Sequence, residues 1–268
     1  MRNSRVLTAL VAAPIFIGLT YVGGWPYFLL VLALGLIAQW ELYEMAKAGG
    51  LNPLKWSGLG LGVVAGLHPV WPYWGLALLV AVPFIICAFP FLRGDRPLER
   101  MAVTIVGAVY PTGLLVLLAR MRLLDDPLLQ GLDAFWLTMM VLLLIWSADT
   151  GAYYAGRAFG KRPLFPAVSP KKTWEGYIGG LITAVGIALV LKFTVLGVLE
   201  VWHALLIGFF CGAVAPLGDL AESRIKRSVG VKDSGSILPG HGGVLDRFDA
   251  MLVALPAVYV FVQFVVLA

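Results

Sequence analysis

The residues able to do chemistry crowd into one run, Ser223 to Asp249, which reads SRIKRSVGVKDSGSILPGHGGVLDRFD. Its 27 residues hold five cations, three aspartates, one histidine and a Pro-Gly-His-Gly-Gly turn. Cations interleaved with carboxylates and glycines suit phosphate and a hard metal ion. Arginine forks phosphate oxygens, lysine brings a mobile point charge, and glycine lets backbone N–H groups approach an anion closely. His241, in the turn, is placed to donate to a phosphate or act as an acid, or only to shape the turn.

More acids stand at the ends of apolar stretches. Asp149 lies in WSADTGAYYAGRAFGK and Asp219 in APLGDLAES. Glu222 follows Asp219 by three residues, so both share a face if a helix continues there. Asp246 and Asp249 flank Arg247 with the same spacing. Ionisable groups near membrane depth are costly, which makes each a functional candidate. Carboxylates beside substrate phosphate suit Mg²⁺. Zinc is disfavoured, because the histidines are only His68, His203 and His241. Cys87 and Cys211 sit in apolar segments with no CxxC spacing and read as small buried hydrophobes. The competing reading of the acids is simple pairing with nearby cations.

Lys226, Arg227 and Lys232, with Lys171 and Lys172 from another loop, are candidates to clamp a triphosphate and a lipid phosphate. Their alternative role is headgroup contact and topology setting. Glu41 and Glu44, in WELYEMAKAGG, end an apolar stretch and either line the site or form a solvated helix end. The chain has no GxxxxGK[ST], Gly-x-Ser-x-Gly or HExxH. Ser147 and Ser169 lack a visible base and read as packing and capping residues.

The elements that must hold these groups are membrane helices. The 268 residues are 60% hydrophobic and 13% charged, with mean hydropathy +0.89. Soluble domains average about 25% charged residues. A bilayer-crossing helix needs about 20 apolar residues. The predicted spans are 6–22, 25–46, 56–69, 73–92, 101–120, 133–156, 175–197, 200–220 and 250–268. The fold class is therefore all-α, a polytopic integral membrane protein of about nine transmembrane helices. It reads as one membrane unit, 1–130 carrying N-terminal helices and 131–268 the catalytic helices and loops. Gly58, Gly60, Gly62 and Gly66 predict close packing of the short third span. The opening MRNSR with its apolar stretch suits a retained first helix, since no Ala-x-Ala-like site follows.

With the N-terminus in the cytoplasm and nine spans, cytoplasmic segments hold 17 of the 20 Lys and Arg residues. The other side holds Arg120, Arg122 and Lys192. That asymmetry follows the positive-inside rule and puts the polar site, in loops 157–174 and 221–249, on the cytoplasmic face. The net charge of +5 fits anionic headgroups. No nucleic-acid-binding module is visible.

The run from Ser223 to Asp249 resembles the signature of the phosphatidate cytidylyltransferase family, also called CDP-diacylglycerol synthase. The matching residues are Ser223, Lys226-Arg227, Lys232-Asp233, Pro239 to Gly243, Asp246-Arg247 and Asp249. Ser169 to Gly176 (SPKKTWEG) and Asp149-x-Gly151-Ala152-Tyr153 also resemble the family. The resemblance implies CTP + phosphatidate → CDP-diacylglycerol + pyrophosphate, in phospholipid biosynthesis at a bacterial inner membrane.

It implies Mg²⁺, with a second cation such as K⁺, and a homodimer. Asp219 and Asp246, aided by Asp249 and Glu222, become the metal ligands. Lys226, Arg227 and His241 join them as catalytic groups. Lys171, Lys172, Ser223, Lys232, Asp233, Gly240, Gly242, Arg247 and Asp149 become substrate-binding. The rival readings are a CTP-dependent lipid kinase and a transporter of an anionic substrate; acids clustered at one surface and the lack of an internal repeat disfavour the transporter.

Overall fold

The computed structural model describes residues 2–87, 96–129, 131–166, 168–237 and 242–268. Side chains are not described for residues 2–9, 74, 76, 79 and 84–87. The protein is mostly helical. In chain order the helices are α1 (Arg2–Val22), α2 (Gly24–Ala48), α3 (Lys55–Gly66), α4 (Trp74–Cys87), α5 (Pro97–Gly107) and α6 (Leu117–Arg122). They continue with α7 (Asp133–Phe159), α8 (Trp174–Thr194), α9 (Val201–Ser228) and α10 (Leu245–Phe261). A π-helical turn, Ala108–Gly113, follows α5, and another, Val262–Val266, follows α10.

Among the described residues, six apolar segments are long enough to cross a bilayer: Gly24–Ala48, Pro97–Arg122, Asp133–Phe159, Trp174–Thr194, Val201–Ser228 and Leu245–Val266. The protein is thus a polytopic membrane protein. Large apolar side chains on their outer faces, such as Ile182, Val190 and Phe193 of α8, are exposed and suit contact with lipid. Helix α3 has 12 residues, about 18 Å of rise, against an apolar bilayer core of about 30 Å. It ends three residues short of the 56–69 segment expected from sequence.

The chain divides into two compact units. One comprises the residues up to Arg120 together with Ile225–Phe248; the other comprises Met121–Arg224 and Asp249–Ala268. The first unit thus groups most of the polar signature with the N-terminal helices.

In the first unit, α2 packs on α3, α5 and the π-helical turn. A Cβ at Gly58 would strike the Tyr43 ring, one at Gly62 the Gln39 amide and one at Gly66 the Leu32 side chain. These three glycines allow the close approach their spacing suggested, whereas Gly60 faces open space. A buried polar network locks the same helices. Gln39 Nε2 donates to Gly58 O at 2.7 Å and to Tyr43 OH at 2.8 Å, and Tyr43 OH donates to Thr104 O at 2.6 Å. Thr112 Oγ1 donates to Gln39 Oε1 at 2.7 Å. Buried polar groups satisfied in this way fix one arrangement of α2.

In the second unit, α7 and α8 lie along each other through a glycine seam. A Cβ at Gly180 would sit 2.6 Å from the Ala148 carbonyl oxygen, closer than any side chain tolerates. The loop expected over 157–174 contains a two-stranded antiparallel hairpin, β1 (Pro163–Phe165) with β2 (Ser169–Thr173), so the all-α expectation needs this small correction. Strand β2 runs straight into α8, where Thr173 Oγ1 caps the helix by accepting from Gly176 N at 3.2 Å. Glu175 accepts from Lys161 N at 3.0 Å and Arg162 N at 3.2 Å, which ties the hairpin's entry to the same helix end.

Candidate active site

The signature is less of a loop than its composition suggests. Helix α9 continues to Ser228 and α10 begins at Leu245, so Lys226 and Arg227 are helical. Beyond Ser228, α9 is capped at Gly230, whose φ of 76° only glycine adopts freely. Gly230 N donates to Arg227 O at 3.2 Å and Val231 N to Lys226 O at 3.0 Å, the paired bonds of a Schellman cap. The chain then turns back to α10.

One polar cluster forms around Asp246, in the first turn of α10. Lys226 Nζ donates to Asp246 Oδ1 at 2.7 Å. Gly243 N donates to Oδ2 at 2.8 Å, and Ser234 N reaches both oxygens, at 3.0 and 3.2 Å. A carboxylate is stabilised at a helix N-terminus, where backbone N–H groups lack helical partners. Gly242 has φ 80°, and a Cβ there would lie 2.7 Å from Asp246 Oδ2. Glycine is thus required by conformation and by space.

A second cluster, in the other unit, forms around Asp219 of α9. Lys172 Nζ, from β2, donates to Asp219 Oδ2 at 2.5 Å, and Ser223 Oγ donates to Oδ1 at 3.2 Å. The SPKKTWEG motif therefore places Lys172 on a short strand that leads into the capped start of α8. Glu222 shares α9 with Asp219, as its spacing suggested, and is fully buried. Gly218 lets α9 meet the backbone at Asp249 and Ala250, while the Asp249 side chain accepts from Ala250 N at 2.7 Å.

The other anticipated residues within the described segments lie at the surface. Arg227 is exposed and donates to Val231 O at 3.2 Å. Lys171, Lys232, Asp233, Arg247 and Asp149 are exposed. Gly240 and His241 lie outside the described residues.

Sequence reasoning left Glu41 and Glu44 between lining the site and forming a solvated helix end. Glu44 behaves as a helix-end residue, ion-paired with Lys55, whose ammonium also sits over the Trp40 ring. Glu41 instead is buried and accepts hydrogen bonds from Val244 N and Leu245 N. Its signal in the sequence was a carboxylate about two turns inside an apolar helix.

Among the described residues, no group of three or more His, Cys, Asp or Glu side chains is placed to hold a metal. A closed protein cage is not what this set offers. A carboxylate has about four lone-pair sites. Asp219 accepts two bonds and keeps capacity for a hard cation, whereas Asp246 accepts four from three donors and gains capacity once Lys226 turns to another anion. These donors fit Mg²⁺ held by one or two carboxylates together with substrate phosphate and water.

A model of the cytidylyltransferase family matches residues 3–265. The chain belongs to that family. A phosphatidate cytidylyltransferase of Bacillus subtilis (strain 168) is 34% identical over 264 residues, covering 96% of each chain. One of Staphylococcus haemolyticus (strain JCSC1435) is 36% identical over 262 residues, 94% of this chain and 95% of its own. One of Haemophilus influenzae is 41% identical over 200 residues, 72% of this chain and 66% of its own.

Proposed function

We infer that this chain is a phosphatidate cytidylyltransferase, making CDP-diacylglycerol and pyrophosphate from CTP and phosphatidate. The observation that carries the reading is the family match from residue 3 to 265, which takes in both lysine–carboxylate clusters.

The chemistry asks for charge control more than for a base. An oxygen of the ionised phosphatidate phosphate attacks the α-phosphorus of CTP. The bond from that phosphorus to the oxygen bridging the α- and β-phosphates breaks, and pyrophosphate carries away the electron pair. The main barrier is repulsion between two anions, which positioned cations lower. Lys226 and Lys172 are the cations we assign to phosphate oxygens, exchanging Asp246 and Asp219 for substrate. Arg227 and Lys232, both exposed, add charge from the same segment. Asp219 and Asp246 are the proposed Mg²⁺ ligands, with Glu222 and Asp249 as orienting or additional groups. Bound Mg²⁺ supplies charge neutralisation on the nucleotide phosphates. Lysines that already balance both carboxylates favour a metal that arrives with CTP over a resident one.

The proposed topology has nine crossings, α3 included, in the inner membrane, with the signature in the cytoplasm. The 17-to-3 asymmetry of Lys and Arg supports it. The resemblance adds a homodimer and a second cation such as K⁺.

The test is purified enzyme with CTP labelled at the α-phosphate and phosphatidate in detergent with Mg²⁺. Label in a CDP-lipid is the expected result. Label only in free CDP, beside a phosphorylated lipid, would indicate a kinase, and unchanged CTP a transporter.

A further inference from the structure

Glu41, on α2, is only 2% exposed and bonds directly to the signature. An ionisable group so enclosed is costly unless hydrogen-bonded. Its Oε1 accepts from Val244 N at 3.0 Å, and its Oε2 accepts from Leu245 N at 2.8 Å and Ser234 Oγ at 3.3 Å. The two backbone donors open α10 and have no partner within that helix. Ser234 then links Glu41 to Asp246 in both directions. Ser234 N donates to the Asp246 carboxylate at 3.0 Å, and Asp246 N donates to Ser234 Oγ at 3.3 Å. Two glycines close the loop over the acid. A Cβ at Gly235 would lie 2.6 Å from Glu41 Oε1, and one at Gly243 would strike Glu41 Oε2 and Ser234 Oγ.

We propose that Glu41 is a positioning residue for the transfer reaction: it holds the start of α10 and, through Ser234, sets the direction of the Asp246 carboxylate. The inference rests on the reading of Asp246 as a site residue. Glutamine at position 41 would keep the size but replace one acceptor oxygen with an NH₂ aimed at N–H donors. The α10 terminus then shifts, and Asp246 with it.

The experiment compares Glu41→Gln, Ser234→Ala and Asp246→Asn as purified full-length proteins. It measures kcat per folded enzyme, the KM for phosphatidate, the half-saturating Mg²⁺ concentration and the Tm shift caused by Mg²⁺ with CTP. Glu41→Gln is expected to lower kcat at least tenfold, raise half-saturating Mg²⁺ at least threefold and halve the ligand-induced Tm shift. Its KM for phosphatidate should stay within twofold. Ser234→Ala, which removes only the bridging hydroxyl, should move the same quantities in the same direction by at least threefold in kcat. It decides the matter if Glu41→Gln does not fold. A variant with lowered basal Tm but wild-type kcat and Mg²⁺ dependence would make Glu41 a brace only and overturn the proposal. Asp246→Asn separates the two failures. Wild-type turnover there overturns the reading of the site itself, whereas an inactive Asp246→Asn beside wild-type kinetics in the other two overturns only the positioning role.

Discussion

The Lys226 ammonium lies 2.7 Å from the Asp246 carboxylate, and the two side chains are only 12% and 8% exposed. Removing one member of a buried ion pair typically costs about 3–5 kcal/mol, because it leaves the other charge uncompensated. Lys226→Met is therefore expected to lower Tm and cut CDP-lipid formation at least a hundredfold. The double variant Lys226→Met with Asp246→Asn should recover part of the Tm and none of the activity. Thermal melting with a product assay checks both; additive Tm losses would show that the two side chains are not coupled.

The Lys172–Asp219 pair has the same chemistry in a different setting. Its side chains are 29% and 36% exposed, and pairs open to solvent contribute about 0–1 kcal/mol. Lys172→Ala should leave Tm within a few degrees and still lose at least tenfold in kcat/KM. A large Tm loss with little change in kcat/KM would make the pair a structural one. Lys192, half-buried at the far end of α8 and donating to Gly197 O, offers the contrast, and Lys192→Ala should be nearly silent in both measurements.

Glycines in the signature should separate into two kinds. Gly230 has a positive φ but open space around its Cα, so Gly230→Ala meets only backbone strain of about 1–2 kcal/mol. Gly243 has no room, because a Cβ would strike Ser234 and Glu41. Gly243→Ala should cost more in Tm than Gly230→Ala and abolish product formation, while Gly230→Ala retains most turnover. The reverse order in melting and turnover assays would contradict the packing around Glu41.

Chelation should separate substrate-borne metal from a structural one. With lysines already balancing Asp219 and Asp246, EDTA is expected to stop turnover reversibly and leave the Tm of the nucleotide-free enzyme unchanged. Mg²⁺ should raise Tm only when CTP is present, since ligands stabilise the state they bind. A Tm that falls on chelation alone would point to a resident metal.

The sequence made some of this plain and hid the rest for physical reasons. Hydropathy marked the apolar segments because lipid contact leaves a composition signature that needs no partner. Gly58, Gly62 and Gly66 announced close packing, since small residues at helical spacing have few other uses. Lys226 and Asp246 were legible as chemistry, but their pairing was not, because 20 residues and a helix end separate them. Composition also made 221–249 look like loop, although a helix terminus tolerates charge and α9 runs on to Ser228. Glu41 was least visible. Its partners are backbone amides some 203 residues away, and a backbone N–H has no letter in the sequence. At a helix end, a buried acid and a solvated one read alike until the fold brings Val244 and Leu245 to one of them.

The most direct test of the whole account is simultaneous measurement of pyrophosphate and CDP-lipid from CTP and phosphatidate. It should use the wild-type enzyme, Asp219→Asn and Asp246→Asn, each checked for folding by thermal melting. The account predicts equimolar pyrophosphate and CDP-diacylglycerol from the wild type, and at least a hundredfold loss of both in each folded variant. Pyrophosphate without CDP-lipid, or near-wild-type product from either folded variant, would contradict it.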